Sequence, residues 1–185
     1  MHADTFLVTQ ANTLALQSAE ACVKGDGYFR LLLICGPSGT GKSTLLRRMQ
    51  RLAADRGEAG LHWEDPLRTP VPAAYPKDMR LVATLNDGAP DAAALRRQFQ
   101  ECGGRVVSLV LEMELAHAVA RETAATMSMV VHPEALDVLV ERLHTPDRVR
   151  GALQRLEAEA TLQGKREIDP LFALRALGEF LYPRG

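Results

Sequence analysis

The sequence predicts an α/β fold, a parallel sheet flanked by helices, followed by a helical C-terminal part. Three observations carry that prediction. YFRLLLIC (28–35) is a continuous apolar run, as expected of a strand buried on both faces. Apolar runs and helical patterns then alternate as far as residue 111, the signature of a parallel layer. From Glu114 onward the pattern is helical throughout, punctuated by prolines at helix starts.

Taken in order, residues 11–24 (ANTLALQSAEACVK) read as a modest helix ending at Gly25, with Leu14, Ser18, Ala21 and Cys22 on one face. The apolar strand follows a Gly-Asp-Gly turn. Lys42–Arg56 reads as a helix stopped by Gly57, and GLHWE (60–64) as a short strand. Pro66, Pro70, Pro72 and Pro76 exclude regular structure to about Lys77. RLVATL (80–85) and RVVSLVL (105–111) read as strands, separated by a helix over about 90–101 with Pro90 in its first turn.

In the last third, Pro133, Pro146 and Pro170 each open a helix. Leu136, Leu139, Val140 and Leu143 form one apolar stripe, and Val149, Leu153, Leu156 and Ala160 another. The expected division is an α/β domain over 1–112 and a helical domain over 113–185. A chain of 185 residues suits that arrangement.

Composition excludes several classes. The 22 basic and 23 acidic residues balance, so any contact with DNA must be weak, local or indirect. Aromatic residues are only 5%, too few for base-stacking platforms. Cys22, Cys35 and Cys102 form no CxxC pair, which argues against zinc or disulfides and for a reducing, cytoplasmic setting. No apolar run approaches the ~20 residues needed to cross a bilayer, and MHADTFLVTQ has no signal-peptide pattern.

Gly36-Pro37-Ser38-Gly39-Thr40-Gly41-Lys42-Ser43 satisfies GxxxxGK[ST] between a buried strand and a helix. Such a loop turns backbone N–H groups onto phosphate oxygens at a helix N-terminus. Lys42 supplies a point charge for the β- and γ-phosphates and Ser43 a hydroxyl for Mg²⁺. Gly36 through Thr44 are therefore the expected cofactor-binding residues of a P-loop NTPase, with ATP or ADP and Mg²⁺ as cofactors. Cys35 before the loop reads as a packed, inert thiol. Arg47, Arg48 and Arg51 read as solvated helix surface.

With those motifs in place, the chain resembles the AAA+ ATPases of the DnaA replication-initiator group, including their short relative Hda. Thr5-Phe6, Asn12 and the alanine-rich helix look like the lead-in segment of those proteins, and GYFRLLLICGPSGTGKSTLLRRM like their Walker A strand, loop and helix. LAADRGEAGLHW resembles the turn into their second strand. LVATLNDGAP is similar to their sensor 1 strand and loop, with Asn86 or Asp87 at the polar tip. HPEALDVLVERLHTPDRVRGALQRLEAEATLQGKREID is similar to their helical lid, most closely at GALQRL.

The resemblance implies an ATP- or ADP-binding protein of replication initiation or its regulation. Such a protein acts through contacts with an initiator, helicase or clamp, or with copies of itself. The resemblance gives catalytic roles to Lys42 and Asn86 and metal binding to Ser43, with Asp65 a further catalytic and metal-binding candidate and Arg148 a candidate lid contact to the nucleotide.

Three departures leave hydrolysis open. The family's Walker B strand is either deleted, or LHWED stands in its place with Glu64 and Asp65 as the acids. Asp147 occupies the position of the lid arginine, with Arg148 and Arg150 nearby. The arginine-finger position falls at Gln98, beside Arg97 and Arg96. The family's helix-turn-helix domain has no counterpart before Gly185, and no clamp-docking motif stands at the N-terminus, so a bare AAA+ module is expected. Two alternatives remain: a nucleotide-type kinase, whose acceptor site would draw on Arg68, Tyr75 and Lys77, and a P-loop interaction module without catalysis.

Overall fold

Strand β1 (Leu31–Gly36) is buried along its whole length, and the rest of the first unit is arranged around it. The computed structural model describes residues 6–57, 61–64 and 79–178, the stretch 61–64 as backbone only. Contacts divide the chain into two units, Met1–Val110 and Leu111–Gly185.

In the first unit the elements run α1 (Thr13–Lys24), β1, α2 (Lys42–Asp55), β2 (Leu61–Glu64), β3 (Arg80–Asn86), α3 (Ala92–Glu101) and β4 (Arg105–Ser108). The sheet order is β2-β3-β1-β4, and every neighbouring pair is parallel. All four strands therefore end on the same edge, which is where ligands of open α/β sheets bind.

Strand alternation explains why β1 reads as an unbroken apolar run. Leu32 and Ile34 pack with Leu45 and Met49 of α2 and Ala19 and Cys22 of α1. Leu31, Leu33 and Cys35 pack on the other side with Leu81, Leu85 and Phe99 of α3. Both faces are covered, so neither has a polar position.

Four expectations are corrected. In α1 the buried residues are Ala15, Leu16, Ser18, Ala19, Cys22 and Val23, while Leu14 is exposed. Small side chains set that face, because the helix lies directly against β1, β3 and α2. Helix α3 starts at Ala92 with Asp91 at its N-cap, leaving Pro90 outside. Residues 86–91 form a turn in which the Asn86 carbonyl accepts from Ala89 N.

Strand β4 stops at Ser108 rather than running to Leu111. The Leu109 amide still donates to Cys35 O at 2.7 Å, one bond past the end of the strand. Finally, the second unit is not wholly helical.

That unit contains α4 (Met113–Ala125), β5 (Val130–Val131), α5 (Pro133–Leu143), α6 (Pro146–Leu162), β6 (Glu167–Ile168) and α7 (Pro170–Ala176). Strands β5 and β6 pair in parallel. Pro133, Pro146 and Pro170 open their helices, as the sequence predicts. Leu136, Leu139, Val140 and Leu143 of α5 and Val149, Leu153, Leu156 and Ala160 of α6 lie in one core with Phe172 and Ala173 of α7. Among the described residues no helix is long and apolar enough to cross a membrane.

Candidate functional site: a phosphate cradle at the edge of the sheet

The cradle grows out of the C-terminal end of β1. Its first residue, Gly36, is sterically required. A Cβ there would stand 2.6 Å from the Leu109 carbonyl oxygen and 2.9 Å from Thr40 Oγ1. Gly39 and Gly41 take φ of +85° and +87°, a region that side chains with a Cβ rarely adopt. Buried Thr40 fixes the turn by donating its hydroxyl to Pro37 O at 2.9 Å. Pro37 and Ser38 are exposed at the rim.

Gly41 is the N-cap of α2, and no side chain caps it. The first intrahelical bond runs from Leu45 N to Gly41 O at 2.8 Å. The amides of Lys42, Ser43 and Thr44 thus have no acceptor within the helix, and the helix dipole favours negative charge at that point. Lys42 Nζ donates to Gly36 O at 2.7 Å and to Pro37 O at 2.6 Å, so its ammonium is folded over the loop. Ser43 is exposed in the first turn, and Thr44 Oγ1 accepts from Arg47 at 3.5 Å. Phe6 is buried 3.5 Å from the position of a Gly41 Cβ, held by a lead-in turn in which Asn12 Oδ1 accepts from Thr9 N.

Register brings the sensor-like strand end to the same place. Asn86 is the partner of Gly36 across the β1–β3 ladder. It is exposed, and its Oδ1 accepts from Gly88 N at 3.2 Å. Asp87 donates its amide to Gly36 O at 3.2 Å, and its carboxylate pairs with Arg96 of α3. Arg96, one of the two arginines beside the finger position at Gln98, thus has its guanidinium engaged within its own chain. Arg97 beside it is exposed.

Cys35 is fully buried behind the loop. Burial pushes its thiol above the usual range, against the pull of the neighbouring Arg96 guanidinium. It is the packed thiol that the sequence suggests. Arg48 is less simple than a solvated arginine, since it bonds Glu20 of α1 at 3.2 Å.

The structure therefore brings Gly36 through Thr44 together with Asn86. Arg148 lies in the second unit, exposed in the first turn of α6. Asp65 and the kinase-type candidates Arg68, Tyr75 and Lys77 lie outside the described residues. The Arg96–Asp87 pair escaped the sequence reading. Its only signal was a basic residue nine positions after an acid, on the helix that follows a strand.

No protein-family model and no curated protein matches the sequence. Solved structures do. Domain III of the replication initiation protein DnaA of Thermotoga maritima superposes with a TM-score of 0.73 over 96% of this chain and 95% of that one, at 18% identity. The fold is DnaA-like AAA+. The Thermotoga maritima RuvB Holliday junction branch migration motor is similar too, with a TM-score of 0.61 and 17% identity over 92% of this chain and 69% of that one. AMPPCP-bound DnaA from Aquifex aeolicus matches 86% of this chain and 64% of its own, with a TM-score of 0.60 and 16% identity.

Proposed function

We propose that this AAA+ module binds ATP or ADP with Mg²⁺ in the cytoplasm and acts in DNA replication initiation or its regulation, in the manner of DnaA and Hda. It works through contacts with an initiator, helicase or clamp, or with copies of itself. The observation that carries the reading is the cradle, a glycine turn with Gly39 and Gly41 at positive φ that leads from the end of β1 into the N-terminus of α2, where no side chain caps the helix. The likeness to DnaA domain III and to an AMPPCP-bound DnaA supports adenine nucleotide and a replication role.

These residues fit a nucleoside polyphosphate. Gly36 through Thr44 would hold the β- and γ-phosphates, with the Lys42 ammonium exchanging loop carbonyls for phosphate oxygens. Asn86, at the adjoining strand end, would orient a polar group at the γ-position. Ser43 and Asp65 would hold Mg²⁺, which when bound neutralises charge on the phosphates. Strand β2 lies beside β3 and runs toward the cradle edge of the sheet, its last residue Glu64 in register with Ala83, three residues before Asn86. Arg148 would approach the nucleotide from the lid, and division at 1–112 and 113–185 would separate reader from cradle.

Titration with ATP, ADP and GMP in Mg²⁺ tests the proposal. Ligand at 100 times its Kd stabilises by about 2.7 kcal/mol, which raises the melting temperature of a chain this size by roughly 5 to 10 °C. An adenine-nucleotide shift abolished by Lys42→Ala is expected. Absence of any shift with ATP and ADP refutes the proposal, and GMP-dependent ATP consumption would replace it with a kinase.

A further inference from the structure

Two hydrogen bonds of 3.2 and 2.7 Å, from the Asp87 amide and the Lys42 ammonium, end on the Gly36 carbonyl oxygen, which keeps the two nitrogens within about 6 Å of each other. Asp87 thereby brings a carboxylate to the rim of a cradle suited to anions. A bare negative charge there would oppose a polyphosphate. Through an effective dielectric near ~20, one such charge within ~10 Å changes affinity by on the order of tenfold.

The chain supplies the counter-charge. Arg96 projects from α3 and pairs with the Asp87 carboxylate, both side chains being 35% exposed. Its Nε is buried with no hydrogen-bond partner among the described residues, and its guanidinium neighbours the Cys35 thiol. Desolvating a guanidinium this way is unfavourable unless a carboxylate offsets it. The pair also spans two elements, tying α3 to the turn after Asn86.

We infer that Arg96 is a positioning residue of the phosphate site, holding Asp87 in a neutral pair so that an anion entering the Gly36–Ser43 cradle meets no uncompensated carboxylate. The inference rests on the nucleotide-binding reading of that cradle. It differs from a structural tie in one respect: loss of Arg96 should penalise ligands in proportion to their charge, and removing Asp87 as well should lift the penalty.

Calorimetric titration of ATP and of ADP, at low and high salt, separates these cases. Arg96→Gln should weaken ATP about tenfold at low salt, ADP by less, and both by less at high salt. Arg96→Lys should weaken ATP less than Arg96→Gln. The double variant Arg96→Gln/Asp87→Asn should return ATP to within about threefold of wild type, since the repelling charge is gone. Asp87→Asn alone, which leaves Arg96 uncancelled, should tighten ATP at low salt; this milder change keeps the inference testable should Arg96→Gln misfold. Equal losses for ATP and ADP with no recovery in the double variant would overturn the inference, as would wild-type affinity in Arg96→Gln. If those results came while Lys42→Ala still abolished binding, the nucleotide reading would stand. Failure of the wild type to bind either nucleotide would overturn both.

Discussion

Substituting Gly36 by alanine should damage the first unit before any ligand is considered. A methyl at that position would lie 2.6 Å from the Leu109 carbonyl oxygen and 2.9 Å from Thr40 Oγ1. Neither can step aside easily. Leu109 N is bonded to Cys35 O at 2.7 Å, and Thr40 Oγ1 to Pro37 O at 2.9 Å, so relief moves either the strand end or the loop. Overpacking of this kind costs about 1–3 kcal/mol, and the φ of +156° at residue 36 adds roughly 1–2 kcal/mol for a residue with a Cβ. The total, about 2–5 kcal/mol, should lower the thermal midpoint of the α/β unit by roughly 5–15 °C. Circular dichroism of the two proteins without nucleotide measures it. A midpoint within about 2 °C of wild type would refute the argument that this glycine is required by close backbone approach.

Other expectations concern the second unit and the thiols. Leu153→Ala, at a fully buried position of α6 in the core of the second unit, should cost about 2–5 kcal/mol in urea denaturation, and a loss under about 1 kcal/mol would contradict the packing described. Asp169 caps α7 by accepting from Phe172 N at 2.7 Å, and that bond holds its carboxyl below the usual range. A lowered folded-state pKa gives stability that is full above the unfolded value and lost as pH falls through the folded one. Asp169→Asn should therefore retain the cap near neutral pH yet lack that acid-side loss, whereas Asp169→Ala should lose stability at both; identical pH profiles for wild type and Asp169→Asn would refute this. With a thiol reagent at pH 8, the native protein should expose one cysteine, Cys102. Cys22 and Cys35 are buried, and burial pushes Cys22 up to about 11. Three fast-reacting thiols before denaturant would contradict the fold.

The elements visible in the sequence were those whose environment is uniform. Leu31–Cys35 is apolar at every position because both faces of β1 are covered, and the phosphate loop is legible because its glycines answer a local steric demand. Two-residue strands such as Val130–Val131 and Glu167–Ile168 have no period to read, and their pairing depends on α5 and α6 folding back. Leu14 misled because helix periodicity gives a stripe but not how closely it packs: Ser18 and Cys22 are buried as expected, and Ala15, Leu16 and Ala19 complete the inner face in place of Leu14 and Ala21. The Arg96–Asp87 pair depends on the turn geometry of 86–91, which no spacing rule encodes.

The two short strands of the helical unit also say something about the order in which it assembles. Val130 N donates to Arg166 O and His132 N to Ile168 O, each at 3.0 Å, joining the start of α5 to the end of the segment after α6. Those bonds close a loop that contains two whole helices, so they form only once that loop's closure entropy has been overcome. They are a seam that fastens only after that loop is brought together, and it must part before the start of α5 can leave the segment after α6. Exchange of the Val130 and His132 amides with solvent therefore clocks the opening of the helical hairpin as a unit, not the fraying of an end.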